Sequence, residues 1–318
     1  MTKMEKVKMI LIITIIGSFL SQICCAKDET HKDAGTASAT FLEFGIGGKA
    51  VAMGEAYMAV SSDVTAIYWN PGGLSQVKGK EFAAMHNIWF EDISHDFLGY
   101  AHPIGKDKII GIGIIGLFIN DLERRKGPNL EKEGTFGAYD GSIILSYSQN
   151  VSKNFSAGFS LKGIYQQIDR EKGQGAALDI GWLYKIPIKN LNLGFAIQNW
   201  GSKMKIYKRK FQLPRIFRIG ASYRPFKNNL TLAFDVSKSI DNGLILHFGT
   251  EYQIFDLIAI RGGYRYKLDQ IDNEPLSGLT AGLGFKIKDY QLDYAFVPYS
   301  DLGDTHRISF LLKFGPSS

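Results

Sequence analysis

From residue 81 to residue 314 the chain alternates between large apolar side chains and small ones, segment after segment. In the last segment Ile308, Phe310, Leu312 and Phe314 interleave with Arg307, Ser309, Leu311 and Lys313. Leu279, Ala281, Leu283, Phe285 and Ile287 interleave in the same way with Thr280, Gly282, Gly284, Lys286 and Lys288. A period of two puts the two sets on opposite faces of a β-strand. A soluble sandwich would make the second face bulky and charged. Here it is Gly, Ser, Ala and Thr with an occasional Lys or Asp, which suits the inside of a barrel whose apolar face meets lipid. Composition agrees. Apolar residues make up 45% and charged residues 21%, too much of one and too little of the other for a disordered chain. A mean hydropathy of −0.06 is too low for a bundle of membrane helices.

Fourteen such segments can be counted, at about 81–90, 95–104, 108–120, 139–150, 154–168, 175–187, 190–200, 215–225, 229–238, 243–254, 257–267, 277–287, 289–299 and 306–314. Their length fits a tilted spanning strand of about 9–11 residues. The even-numbered connections are short, as at Gly105-Lys106-Asp107, Ser152-Lys153 and Phe255-Asp256. The odd-numbered ones are mostly longer, as at 121–138, 201–214 and 268–276, with short exceptions at the first and ninth. Tight turns at one end and long loops at the other are the pattern of outer-membrane barrels. An open sheet edge in hydrocarbon would leave backbone groups unpaired at several kcal/mol each, so the sheet must close. The fold class expected is all-β, an antiparallel transmembrane barrel of about 14 strands, with the ends of the chain on the periplasmic, short-turn side. Trp89, Tyr100, Trp200, Tyr223, Tyr266 and Tyr299 stand near strand ends, where interfacial girdles form.

Residues 1–26 read as an address. Lys3, Lys6 and Lys8 precede an apolar run from Met9 to Ile23, and Cys24-Cys25-Ala26 offers small residues for cleavage between Ala26 and Lys27. An uncleaved anchor helix is the alternative. Lipid attachment at Cys24 or Cys25 fits poorly after Gln22-Ile23. Cleavage lowers the formal charge from +6 to +4 and removes both cysteines. That excludes thiolate metal sites, CxxC redox pairs and a Cys nucleophile in the mature chain. Export also argues against nucleic acid as a partner despite the basic balance.

Between address and barrel lie a polar lead, 27–40, expected to be flexible, and a Gly-rich block, 41–80. Gly45-x-Gly47-x-x-Ala50, with Asp63 downstream, matches a dinucleotide fingerprint literally. No βαβ context surrounds it, so no cofactor is expected. The glycines Gly45, Gly47, Gly48 and Gly54, with Met53, read better as points of close backbone approach. Asp63 is placed to cap a helical turn over Val64 to Trp69, including Tyr68 and Trp69. Asn70-Pro71-Gly72-Gly73 reads as a sharp turn with positive φ at glycine. The block is expected inside the barrel as a plug, with a periplasmic lid as the alternative. Residues 315–318 form a short tail.

Phe41-Leu42, Gly45-Ile46-Gly47-Gly48-Lys49-Ala50, Met53-Gly54, Ala56-Tyr57, Val60, Asp63 and Ala66-Ile67-Tyr68-Trp69-Asn70-Pro71-Gly72-Gly73-Leu74 together resemble the opening signature of the PorV/PorQ family, which belongs with the FadL-like outer-membrane barrels. Ser62 stands where that signature has a first acid, Thr65 where it has Ser, Gly72 where it has Ala, and Lys49 where Arg is usual. The resemblance implies a fourteen-stranded barrel with an amino-terminal plug. It also implies one of two roles. The first is passage of hydrophobic or small solutes across the outer membrane, with a hydrophobic small-molecule ligand. The second is service in type IX secretion, with secreted proteins or other components of that system as partners.

The six histidines show no HExxH and no repeated ligand spacing, and there is no Gly-x-Ser-x-Gly elbow. Neither an enzyme, a metal nor a cofactor is expected. Lys203, Lys205, Lys208, Arg209, Lys210 and Arg215 make one long loop basic, suited to the phosphates of lipopolysaccharide or to an acidic partner. Outer-membrane lipid is the expected surrounding.

Overall fold

The computed structural model describes residues 33–89, 93–127, 131–187, 190–225, 229–268, 278–299 and 303–315. The cleavage site expected at Ala26 and Lys27 therefore lies outside the described residues, as do the first part of the lead and most of the tail.

The period-two segments form strands. These are β1 (Lys80–Ile88), β2 (Ser94–Gly105), β3 (Lys108–Arg124), β4 (Gly134–Asn150), β5 (Phe155–Ile168), β6 (Glu171–Lys185) and β7 (Leu191–Gly201). A small hairpin follows, β8 (Met204–Ile206) and β9 (Arg209–Phe211). The rest are β10 (Ile216–Tyr223), β11 (Leu230–Ser239), β12 (Leu244–Ile254), β13 (Ile258–Lys267), β14 (Leu279–Ile287), β15 (Tyr290–Pro298) and β16 (Asp304–Phe314). All but β8 and β9 form one closed antiparallel barrel, fourteen strands among the described residues, sealed where β1 pairs with β16 from Lys80↔Phe314 to Ile88↔His306.

The two faces divide as the alternation requires. Along β14, Leu279, Leu283 and Phe285 are exposed while Thr280, Gly282 and Gly284 are buried. Ile112, Ile114, Ile143, Leu145 and Leu161 are each more than 40% exposed and adjoin one another across β3, β4 and β5. The buried core is on the other side. Its largest side chains, among them Phe41, Leu42, Ile46, Tyr57, Tyr68 and Trp69, come from the segment that precedes the barrel.

Three details depart from the sequence reading. β3 and β4 run on to Arg124 and Gly134, because Leu122↔Phe136 and Glu123↔Thr135 continue the ladder past a bulge after Ile119. The connection from 201 to 214 is not irregular: it contains β8 and β9, with Met204 buried against Gly173 and Gly175 of β6. Trp89 and Tyr299 are not girdle residues. They sit on the buried side around Phe44, with ring centroids 4.4 Å apart for Phe44–Trp89 and 5.9 Å for Trp89–Tyr299. Both continue the inward rows of β1 and β15, so parity decides their side. Trp200 and Tyr266 are exposed on the outer face.

Candidate functional site

The residues singled out before the barrel gather where that segment meets the inward wall. It begins with a 3-10 helix, Thr40–Glu43, and a five-residue helix, Gly48–Ala52. The first lies at the long-connection end, where Ala37 bridges Gln212 and the Ala39 N–H donates to Gln166 Oε1. The two ends of the barrel, Lys80 and Phe314, meet at the opposite end. The stretch from 37 to 80 thus runs the length of the barrel.

The close approaches expected of the glycines are present. Gly47 (φ 79°) and Gly54 (φ 62°) use the left-handed region that favours glycine. The Gly48 N–H donates to Ser309 Oγ at 2.9 Å, and the Gly54 N–H to Thr280 Oγ1 at 3.0 Å. The Gly45 carbonyl accepts from Arg307 Nη1 at 2.8 Å. Met53 is fully buried, its carbonyl against Gly249 of β12.

The second half of the signature differs in detail from its reading. The helical turn covers Ala66–Trp69 rather than starting at Val64, so its N-cap position is Thr65 and Asp63 stands two residues before it. Its Oδ1 accepts from the Thr65 N–H at 2.9 Å and its Oδ2 from the Tyr57 hydroxyl at 2.8 Å. The Tyr68 hydroxyl donates to the Leu42 carbonyl and Trp69 Nε1 to that of Ile46, each at 3.0 Å. These bonds fold the segment back on itself. Asn70-Pro71-Gly72-Gly73 is not a positive-φ turn. It opens a 3-10 helix, Pro71–Gln76, with Asn70 Oδ1 accepting from the Gly72 N–H. Pro at the first position suits this start, since its missing N–H needs no partner there. Gly72 and Gly73 are required for room. A Cβ on Gly72 would lie 2.5 Å from Trp182 Cα, and one on Gly73 2.4 Å from the Ser61 carbonyl oxygen. Asn70 Nδ2 spans to the wall through the carbonyls of Met58 and Trp182.

The wall supplies groups that the alternation did not single out. Asp235 Oδ2 accepts from the N–H groups of Tyr57 at 2.7 Å and Met58 at 2.8 Å. Gln198 Nε2 donates to the Tyr68 and Trp69 carbonyls, and His247 Nδ1 is 2.8 Å from the Gly54 carbonyl. Lys49 pairs with Glu251 at 3.3 Å. Arg261 bridges Glu251 at 2.6 Å and Asp293 at 2.7 Å. Lys162 and Asp179 pair at 2.7 Å beside the Asn199 bulge of β7. The available signal was a full charge on a row of small residues, such as Asp235 in line with Thr231, Ala233 and Ser237.

Electrostatics on the segment follow from burial. Burial raises the Glu43 carboxyl to about 7; Asp241 adds to this, while Ser239, Arg218 and Asn242 oppose it. Burial acts on Glu55 in the same sense, but Arg265, at 3.1 Å, and Arg218 outweigh it and hold that carboxyl below its ordinary value. Burial and then Asp63 push the Tyr57 hydroxyl up, so it stays a donor.

A model of an uncharacterised protein family (UPF0164) matches residues 17–169, somewhat less than half of the chain. No curated protein matches. Among solved structures, the Ralstonia pickettii toluene transporter TbuX is similar with a TM-score of 0.63 at 14% identity, covering 85% of this chain and 99% of its own. The Pseudomonas putida toluene transporter TodX is similar with a TM-score of 0.60 at 13% identity, covering 84% and 96%. A Pseudomonas aeruginosa FadL homologue has a TM-score of 0.60 at 12% identity, covering 84% and 98%. At these identities the likeness is one of fold, which in this chain is a closed antiparallel barrel of fourteen strands among the described residues.

Proposed function

We propose that this chain is an outer-membrane barrel that passes hydrophobic or small solutes, with residues 41–80 as a plug in its lumen. The observation that carries the reading is the division of faces. The outer wall carries a broad apolar band, with Ile112, Ile114, Ile143, Leu145, Leu161, Ile219, Leu283 and Ile308 exposed, which water would not tolerate on this scale. The inner wall is polar and is hydrogen-bonded to an internal segment along the barrel's length. Lipid then solvates the outside and the plug fills the inside. In this reading the short turns face the periplasm, residues 1–26 are removed after Ala26, and lipopolysaccharide surrounds the long connections. The names of the similar structures, two toluene transporters and a FadL homologue, support a hydrophobic cargo.

The test is removal of residues 41–77 and measurement of conductance and solute leakage in liposomes. A large rise over the intact protein is expected, because most of the largest buried side chains belong to the plug. No rise would sink the plugged-passage reading.

The PorV/PorQ-like signature favours a second reading, a type IX secretion component that binds exported proteins at the barrel rim. Its signature residues are the ones that fix the plug to the wall. Unchanged conductance after the deletion, together with co-purification of exported proteins, would support it.

A further inference from the structure

The inward rows of β6, β7 and β10 continue past the plug to the short-turn end, and there they change character. Deeper in, Gly181 faces Asn70, Gly194 faces the Met58 carbonyl, and Ser222 donates to the Ala59 carbonyl at 3.0 Å. Two residues or more further along the same faces stand Lys185, Asn192 and Arg224, with Lys185 and Asn192 directly paired across strands. They line a pocket of about 360 Å³ together with the apolar residues Ile186, Pro187 and Leu191. Its floor is fixed by reciprocal bonds: the Arg224 N–H donates to the Asn190 carbonyl, and Asn190 Nδ2 to the Arg224 carbonyl, each at 3.0 Å.

Among the described residues neither Lys185 nor Arg224 has an ion-pair partner. The described residues of the connections that flank the pocket, 186–187, 190 and 224–225, contain no acid. Three of the other short turns carry Asp107, Asp256 and Asp289, so the positive charge is concentrated in this sector. Cations in a concave site with low-dielectric walls concentrate field and select oxyanions, and a guanidinium adds two-pronged hydrogen bonding.

We propose that this pocket is an oxyanion site at the short-turn mouth of the lumen, shaped for a phosphate group held between Lys185 and Arg224. The phosphate is either free or the head of an amphiphile whose chain lies along Ile186, Pro187 and Leu191. The site rests on the reading of the barrel as a passage only in being its mouth.

The whole protein in a neutral maltoside detergent is titrated with inorganic phosphate and, separately, with dodecyl phosphate, by calorimetry. Saturable binding of either supports the site. Binding of both with similar affinity assigns a free anion, and binding at least tenfold tighter for dodecyl phosphate assigns an amphiphile. The double variant Lys185→Gln, Arg224→Gln loses at least tenfold in affinity, while Lys205→Gln, on the distant hairpin, leaves it unchanged. Asn192→Asp, which adds a carboxylate without removing a cation, gives the same loss if the double variant does not fold. Absence of saturable binding in the intact protein, or binding unaffected by both pocket variants, overturns the proposal. The liposome leak after deletion of 41–77 is independent of either result, so failure of the site leaves the passage reading standing.

Discussion

Asp235 shows how single residues fasten the segment before the barrel to the inward wall. One carboxylate oxygen accepts two consecutive backbone N–H groups, Tyr57 and Met58, at a point where the segment has no helix or strand partner. Its cross-strand neighbour is Gly220, where a Cβ would overlap Asp235 Oδ1, so the glycine makes room for the acid. Removing the acceptor leaves two buried donors, each costing about 1–3 kcal/mol. Asp235→Ala is therefore expected to lower stability by roughly 2–5 kcal/mol, and Asp235→Asn, which keeps one acceptor, by clearly less. Urea denaturation in detergent measures both, and an Asp235→Ala midpoint equal to the wild type would refute the role. This residue was only half legible in the sequence. Period two put Asp235 on the inner face, but alternation says nothing about what lies opposite. The glycines were legible as places of close approach, since no other residue allows it. That Gly72 serves a 3-10 helix rather than a positive-φ turn depended on Gly181 and Trp182 of β6 pressing against it, a contact over 100 residues distant in sequence, while Gly73 is crowded by Ser61 of its own segment.

At the scale of elements, the strands were legible because each spans one segment with its own two-sided chemistry. The ends of β3 and β4 and the β8–β9 hairpin were not. β3 and β4 continue as a ladder of Leu122, Glu123, Phe136 and Thr135 without the strong apolar face, and the hairpin turns at Tyr207-Lys208, which carries neither Gly nor Asn. The 3-10 helix Thr40–Glu43 is held by a different kind of contact from its neighbours. Glu43 packs beside Asp241 and accepts from Asn242 Nδ2 at 3.2 Å, with Ser239 and Arg218 also facing it. Burial, with Asp241 next, keeps it protonated to about pH 7, whereas the released carboxyl ionises near 4.5. The docked state thus holds a proton that the released state loses. Its stability is full below about 4.5 and falls as pH rises through 7. Over that window the loss from this one group is about 3 kcal/mol. Glu43→Gln, which cannot ionise, is expected to flatten the dependence and to be the more stable form at pH 8. Denaturant midpoints of both proteins at pH 5 and pH 8 decide this, and a wild type as stable at pH 8 as at pH 5 would refute it.

For the molecule as a whole, the decisive property is that adjacent residues on one strand meet opposite solvents. Leu161 is 52% exposed on the outer face, while Lys162, one residue on, is 2% exposed and paired with Asp179 inside. Around Leu161 the outer face is Leu145, then Ile112 across β4 and β3, with nothing charged among them. If acyl chains cover that band, a guanidinium there must snorkel or thin the bilayer, and the cost depends on depth. Leu161→Arg, near the middle of the spanning height, is expected to destabilise the barrel by about 2–4 kcal/mol in liposomes. Leu257→Arg is the comparison. Leu257 is also an exposed leucine, at 45%, but it sits at the short turn between β12 and β13, where the interface admits charge for about 0–1 kcal/mol. In water both positions would accept arginine without cost, so a soluble protein would show two near-zero values. Urea unfolding from liposomes separates the cases. A steep difference between the two leucines places the apolar band in hydrocarbon, and equal small values would remove the membrane from the account of this fold.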